Sequence, residues 1–300
     1  MLTFDIVLQY YDNPATLHNW LSRLLLQTDY LQLSSLSNIL IADTGSPVDR
    51  IPDTLAVLKR WAGYKRVKYV WTDTRPIRNA IPPHMHARPT AHAFNVCCDQ
   101  VSTADVICYS NLSSVPTPSH FRIVHELHGR FENAIIQPKQ YRLVSEEYHR
   151  SLFDQPFDVA IKSGTLSPTG GTPDMSVRRK HLQTIGGWDE QFVLWGMADI
   201  DLICRLTGCI DTAERAEIWH QRFTGRPREP YQSLGLQMLI AEAPQFASIV
   251  CSEYQQHLPD ADSQRANALA HTMPYFLRMW GQVVRNQTRM PMAFEVYENY

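Results

Sequence analysis

The residues best suited to chemistry lie between Ile185 and Leu206, where the chain reads IGGWDEQFVLWGMADIDLICRL. Asp199, Leu202, Ile203 and Leu206 follow the i, i+3, i+4, i+7 spacing of one helix face. A carboxylate that opens an apolar stripe is costly unless it is paired. The cheapest place for it is the first helical turn, where free N–H groups and the helix dipole favour an anion. Two readings of Asp199 follow. It caps the helix, or it acts as a general base at the helix mouth. Trp188, Phe192 and Trp195 offer an aromatic wall beside it. Gly186-Gly187 and Gly196 permit backbone breaks that a residue with a Cβ adopts only at a cost.

Cations and histidines form a second group. His220 is followed by Arg222, Arg226 and Arg228 in a stretch containing Gly225, Pro227 and Pro230. Arg75, Arg78, Arg88, His84 and His86 lie in the Pro- and His-rich residues 72–89. His84 and His86 are either solvated loop side chains or contacts to metal or phosphate, and the arginines read at this level as loop cations. The six cysteines include no C-x-x-C pair, so a zinc site of the usual spacing is not expected.

The elements that must position these residues begin with an apolar run at 4–10 (FDIVLQY), a strand buried on both faces. A turn at Asp12-Asn13-Pro14 starts a helix carrying Leu17, Trp20, Leu21 and Leu24. Residues 38–42 (NILIA) form a second strand, which ends in Asp43-Thr44-Gly45-Ser46-Pro47. A helix near 55–61 leads to a third strand at 67–71. This β-α-β-α-β order predicts a parallel sheet with right-handed crossovers. Ligands bind such sheets at the carboxyl ends of the strands, so 10–13 and 43–46 point to one ligand edge. Residues 72–89 read as a loop over that edge, 90–101 as a helix and 105–109 as a fourth strand. A helix at 120–129 and a short strand at 134–137 follow. Residues 163–174 are rich in Gly, Pro, Ser and Thr and read as a candidate lid. Residues 175–185 read as strand then helix, 216–219 as a last short strand, and 231–256 and 261–286 as two helices. The expected division is 1–228, with halves at 1–118 and 119–228, and a helical extension at 229–300.

Composition narrows the function. The formal net charge of −2 over 300 residues argues against whole-chain affinity for nucleic acid or anionic membrane. The first residues, MLTFDIVLQYYDN, carry polar side chains where a signal peptide needs an apolar run. No apolar run is long enough for a transmembrane helix. A cytoplasmic location is the expectation, with the cysteines reduced in the core. No G-x-G-x-x-G follows the first strand, which argues against a dinucleotide-dependent dehydrogenase.

From about residue 4 to 225 the chain resembles the family 2-like nucleotide-sugar glycosyltransferases of the GT-A fold. GGWDEQFVLWGMADIDLICRL is similar to that family's Gly-Gly-aromatic-Asp-Glu segment followed by Trp-Gly-x-Glu-Asp, the motif of galactosyltransferase type. FDIVLQYYDN and NILIADTGS resemble its first two strands, and TADVICYSNLSSVPTP lies where the family has strand four and its Asp-x-Asp motif. The resemblance implies an α/β Rossmann-like, mostly parallel sheet flanked by helices. It implies transfer of a sugar from a nucleotide diphosphate, UDP favoured, to an acceptor hydroxyl with inversion, Asp199 being the base. Tyr10, Asp12, Asp43, Gly45, Ser46, Arg88, Asn95, Asn111 and Ser113 would lie on the nucleotide. Trp188, Trp195, Gly196 and Asp201 would lie on the acceptor or sugar. Arg222, Arg226 and Arg228 would contact the diphosphate, and His220 a metal.

Two departures stand out. Asn111-Leu112-Ser113 replaces Asp-x-Asp, so Mn²⁺ or Mg²⁺, which want carboxylate oxygens, would bind weakly or not at all. Ala198 replaces the family's glutamate, so acceptor recognition must differ. The acceptor itself, a glycan, small molecule, protein or modified nucleic-acid base, is left open. So are a homodimer through the C-terminal helices and a non-catalytic relative that binds sugar, nucleotide or protein.

Overall fold

Alternate residues of a strand face opposite sides, and β1 (Phe4–Tyr10) uses both sides for apolar packing. Phe4, Ile6, Leu8 and Tyr10 lie in one buried cluster and Val7 in another. The computed structural model describes residues 2–25, 34–63, 67–82, 84, 85, 87, 89–117, 119–143, 166–169, 174–207, 234–241, 247–250, 261–279 and 293–298. In chain order the first half contains α1 (Pro14–Leu25), β2 (Leu36–Asp43), α2 (Ile51–Lys59), β3 (Val67–Thr72) and α3 (Arg75–Ala80). It continues with α4 (Thr90–Val96), prolonged by a π-helical turn at Cys97–Val101, then β4 (Val106–Asn111) and β5 (Ser114–Pro116). The second half contains α5 (His120–Arg130), β6 (Ala134–Leu143), β7 (Leu166–Thr169), β8 (Met175–Arg178), α6 (Arg179–Thr184) and α7 (Ala198–Thr207). It ends with β9 (Gln237–Ala241), β10 (Ala247–Val250), α8 (Ala261–Met279) and β11 (Phe294–Tyr297).

The strands join in the order β11-β3-β2-β1-β4-β8-β6-β10-β5, with β7 and β9 also paired to β6. The central strands β3, β2, β1 and β4 are parallel. β8 runs antiparallel between β4 and β6, and β11 runs antiparallel along β3. Tyr10 pairs with Asp43, Asp43 with Trp71, and Gln9 with Asn111, so the exits of four strands share one edge. On one face Trp20, Leu21 and Leu24 of α1, Leu58 of α2 and Phe121 and Val124 of α5 cover Ile39, Ile41, Tyr69 and Cys108. On the other face Phe94 and Cys97 of the α4 region and Leu202, Ile203 and Leu206 of α7 cover Val7, Leu40, Ile107 and Tyr109. Met273 and Phe276 of α8 form a third cluster with Phe192, Met197 and Cys204.

The mostly parallel α/β architecture is therefore as expected, and four local expectations are corrected. Residues 231–256 were expected to be helical, but β9 and β10 occupy 237–241 and 247–250. Short apolar runs such as QMLIA suit helix or strand, and the partner available on β6 decides between them. The segment after 229 is thus no purely helical extension, since β9, β10 and β11 enter the sheet. Residues 72–89 contain the short helix α3 rather than loop alone. The strand expected at 134–137 runs on to Leu143: its first part pairs with β8 and β9, and its last part with β7 and β10. In the candidate lid, Leu166–Thr169 is a strand antiparallel to β6. The strand expected at 216–219 lies outside the described residues.

Candidate functional site

The exits of β1 and β2 interlock. Asp43 is 0% exposed, and its Oδ1 accepts from Ser46 N at 2.8 Å and Ser46 Oγ at 2.9 Å. Its Oδ2 accepts from the Tyr69 hydroxyl. Burial pushes the Asp43 carboxyl up to about 6, against the lowering effect of these donors. Ser46 Oγ in turn accepts from Asp12 N at 2.7 Å. Gly45 makes this packing possible. Its φ is +89°, and a Cβ there would lie 2.2 Å from Thr74 Oγ1. Asp43, expected on a nucleotide base, is engaged inside the β2 exit instead, where it shapes the loop.

Tyr10, expected on the nucleotide, lies in the core at 1% exposure with its hydroxyl 2.7 Å from Thr54 Oγ1. That is a correction, and the row Phe4, Ile6, Leu8, Tyr10 is its reason: strand alternation turns this ring inward. The next residue, Tyr11, is half-buried, and the Arg78 guanidinium lies over its ring at 4.1 Å. Arg78 also donates to Thr44 O at 3.1 and 3.3 Å and to Thr44 Oγ1 at 3.3 Å. These partners are neutral, so a half-buried guanidinium keeps its charge uncompensated by direct pairing at the edge where β2 and β3 end. Burial lowers its pKa from the ordinary arginine value. Arg75 differs: its guanidinium holds both oxygens of Asp73 at 2.7 Å. Asp12 sits at the same edge, 3.1 Å from Arg50 Nε.

Asn111 and Ser113 occupy the exit of β4. Asn111 Oδ1 accepts from Ser113 N at 2.9 Å and from Ser113 Oγ at 2.5 Å, an Asx turn that closes the loop on itself. Asp174, 2% exposed and just ahead of β8, brackets this loop. Its Oδ1 accepts from Ser110 Oγ at 2.5 Å, and its Oδ2 from the Ser114 hydroxyl. A hard divalent cation needs several carboxylate or carbonyl oxygens turned toward one point. Here the loop offers neutral oxygens already joined to each other, and the nearby carboxylate is bracketed by serines. These residues do not fit Mn²⁺ or Mg²⁺. Among the described residues no group of three His, Cys, Asp or Glu is arranged to hold a metal.

The central motif is built from two sides. Asn95 of α4, 3% exposed, donates to Trp188 O at 3.0 Å and Glu190 Oε1 at 2.8 Å, and its Oδ1 accepts from Trp188 N at 2.9 Å. His92, on the same helix, has Nδ1 3.0 Å from Glu190 Oε2. Asn95 therefore clasps the motif rather than reaching outward. Trp188 is 5% exposed and wedged between Phe94 and Tyr109 at 5.1 and 5.2 Å, a core residue rather than an open wall. Trp195 is half-buried and stands at the surface of the turn. Gly196 and Met197 both have positive φ, +102° and +65°, and this reversal starts α7. A left-handed methionine costs about 1 kcal/mol or more and persists only where its surroundings fix it.

Within α7 the two aspartates part ways. Asp201 is 0% exposed and binds Arg205 Nε at 2.8 Å, and Arg205 also donates to Ile185 O at 3.0 Å. Asp201, expected on the acceptor, is corrected: it holds the helix to the Gly186 turn. A carboxylate this deep needs such a partner. Asp199 is half-buried in the first turn, its Oδ1 accepting from Ile200 N at 3.0 Å. Arg88, His86, His220, Arg222, Arg226 and Arg228 lie outside the described residues. Sequence reasoning covered Tyr11 only as part of the 10–13 edge and Asp174 only as part of the 163–174 lid, and gave neither a role of its own. Alternation along β1 could have pointed to Tyr11, while an acid ahead of a short strand carries no signal for Asp174.

No protein-family model matches the chain, and no curated protein sequence does. Among solved structures the chain is similar to the crystal structure of GalNAc-T7 with UDP, GalNAc and Mn²⁺. Identity is 11% and the TM-score 0.51, over 90% of this chain and 48% of that chain. The chain thus spans about half the length of that structure's chain. The likeness gives the fold: a GT-A-like α/β sheet with flanking helices. Among the described residues no helix is long and apolar enough to cross a membrane.

Proposed function

We propose that this chain is a glycosyltransferase that takes a sugar from a nucleotide diphosphate, UDP favoured, and delivers it to an acceptor hydroxyl with inversion. One observation carries the reading. The left-handed pair Gly196–Met197 sets the half-buried carboxylate of Asp199 in the first turn of α7, directly after the Trp195–Gly196 reversal. Asp199 would take the acceptor's hydroxyl proton. The acceptor oxygen then bonds to the anomeric carbon as the bond from that carbon to the diphosphate oxygen breaks. The electron pair leaves with the nucleoside diphosphate, whose growing charge needs a cation.

Arg78 supports the second half of the proposal. A guanidinium with neutral partners at the strand exits suits a phosphate, and guanidinium offers bidentate contacts to it. Arg88, Arg222, Arg226 and Arg228 are proposed as further contacts, and His220 as a contact to the same group. The donor site would work with little or no dependence on Mn²⁺ or Mg²⁺, because Asn111 and Ser113 are joined to each other. The neutral Asn111–Ser113 loop and Ala198 also favour a second reading, a non-catalytic binder of nucleotide, sugar or protein.

Calorimetry with UDP, GDP, CDP and TDP, each with Mn²⁺ and with EDTA, separates these readings. Binding of one nucleotide that survives EDTA is expected. Asp199→Asn should then keep that affinity and lose turnover by roughly 10²-fold or more, the usual weight of a general base. Binding only with Mn²⁺ would overturn the metal-free site. No binding in either condition would overturn the transferase reading.

A further inference from the structure

The turn between Trp188 and Ala198 is held from outside by α8. Tyr275 Oη donates to Asp189 Oδ2 at 2.7 Å, and the Tyr275 ring meets Phe192 edge-on at 5.0 Å. Thr272 Oγ1 donates to Trp195 O at 3.3 Å. Leu269 and Thr272 fill the space beside Gly196, where a Cβ would lie 3.1 Å and 3.3 Å from them. The Arg265 guanidinium lies 5.9 Å from the Trp195 ring. Arg265, Leu269, Thr272 and Phe276 follow the i, i+4, i+7, i+11 spacing of one helix face, so a single seam of α8 meets the turn. The same helix reaches the opposite side, where Asn267 Nδ2 donates to His84 O at 3.2 Å. Ala87 from that side also forms an antiparallel bridge with Leu194.

We propose that Tyr275 and Thr272 are positioning residues for the carboxylate of Asp199. They touch no reacting atom. They fix Asp189 and the Trp195 carbonyl, and through them the left-handed Gly196–Met197 pair that sets where α7 begins. Inside the turn Phe192 N donates to Asp189 O at 3.2 Å, Gln191 N to Asp189 Oδ1 at 3.0 Å and Val193 N to Gln191 O at 3.0 Å, and Asp201 N donates to Met197 O at 2.8 Å, so the bonds from α8 add to a short local set. A misplaced base loses rate steeply with distance, so a helix remote in sequence governs turnover. The role given to Asp199 rests on the transferase reading, whereas the hold on the turn does not.

Tyr275→Phe tests this, because it keeps the ring against Phe192 and removes only the hydroxyl. Thr272→Val is the second variant. Both should bind UDP within about twofold of wild type and hydrolyse a UDP-sugar with an unchanged KM, but with kcat lowered roughly tenfold. Deuterium uptake should rise in 189–197 and stay unchanged in β1, β2 and β4. Unchanged uptake in 189–197 for both variants would overturn the proposal. So would a loss of UDP affinity, KM and melting temperature together, which marks a general loss of stability. If wild type neither binds UDP nor hydrolyses a UDP-sugar, the transferase reading fails, and uptake in 189–197 alone decides whether α8 holds the turn.

Discussion

Asp43 and Asn111 end β2 and β4, the two strands that flank β1, and each has a side-chain oxygen that accepts from a serine of its own exit loop. For Asp43 this has a pH consequence. Its carboxyl is pushed up to about 6 by burial, above an ordinary value of about 4. The protonated form is thus favoured in the folded state. Its stabilising contribution is complete below about pH 4 and is lost as pH rises through 6, a change on the order of 2–3 kcal/mol. Asp43→Asn keeps an oxygen for Ser46 and a donor for Tyr69 without the charge. Its urea midpoint relative to wild type should therefore rise from pH 4.5 and level off above about 6, staying flat to 7.5. A difference already flat between about pH 4.5 and 6 would contradict the assignment. For Asn111 the consequence concerns metal. In the double variant Asn111→Asp, Ser113→Asp, two carboxylates repel each other and open the Asx turn. Nucleotide binding by that variant should become dependent on Mn²⁺ and sensitive to EDTA, while wild-type binding is indifferent to both. Calorimetry on the two proteins reads the contrast directly.

The element that places most of these residues is the β2–β3 exit, and Gly45 controls it. With φ at +89° and Thr74 Oγ1 2.2 Å from any added Cβ, Gly45→Ala meets both a backbone and a steric penalty. The expected cost is roughly 2–4 kcal/mol in denaturant unfolding. Gly129→Ala is the control. It lies exposed in α5 with nothing within 4 Å of an added Cβ, and should stabilise by about 0.5–1 kcal/mol. If both variants behave alike, the exit is not the constraint it looks to be. This element was readable in the sequence, because Asp-Thr-Gly-Ser-Pro after an unbroken apolar run admits few structures. Strands β1 to β4 were readable for the same reason. Tyr10 was misplaced by attending to the strand's end rather than its period: the row Phe4, Ile6, Leu8 already assigned it inward. Asp201 was misplaced because a buried ion pair with Arg205 looks, at i, i+4, like any solvated pair. The chain could not announce Asp174 either, since its partners Ser110 and Ser114 are 64 and 60 residues away.

At the scale of the whole molecule, the C-terminal quarter was the least legible part, and its burial explains why it matters. QMLIA and ASIV are too short to declare their period, and pairing with β6, and for ASIV with β5 as well, makes them strands. α8 was readable as a helix, but its partners were not, since its seam meets residues some 80 positions earlier, Tyr275 on Asp189 and Thr272 on Trp195 being 86 and 77 apart. A chain ending at 228 would lose β9 and β10 from β6, β11 from the edge of β3, and Met273 and Phe276 from the cluster around Phe192 and Met197. Two apolar side chains of that size carry about 1.5–3 kcal/mol each in burial alone, and the exposed backbone edges of β6 and β3 add to the loss. That sum approaches the whole margin of a typical folded chain, about 5–15 kcal/mol. Residues 1–228 should therefore be insoluble or unfold without a cooperative transition, whereas the full chain unfolds cooperatively. Circular dichroism melts of both, with UDP binding as the functional readout, decide the matter. A truncated chain that melts sharply and binds nucleotide would mean that the first 228 residues form a self-sufficient unit and that α8 is an attachment rather than part of the site.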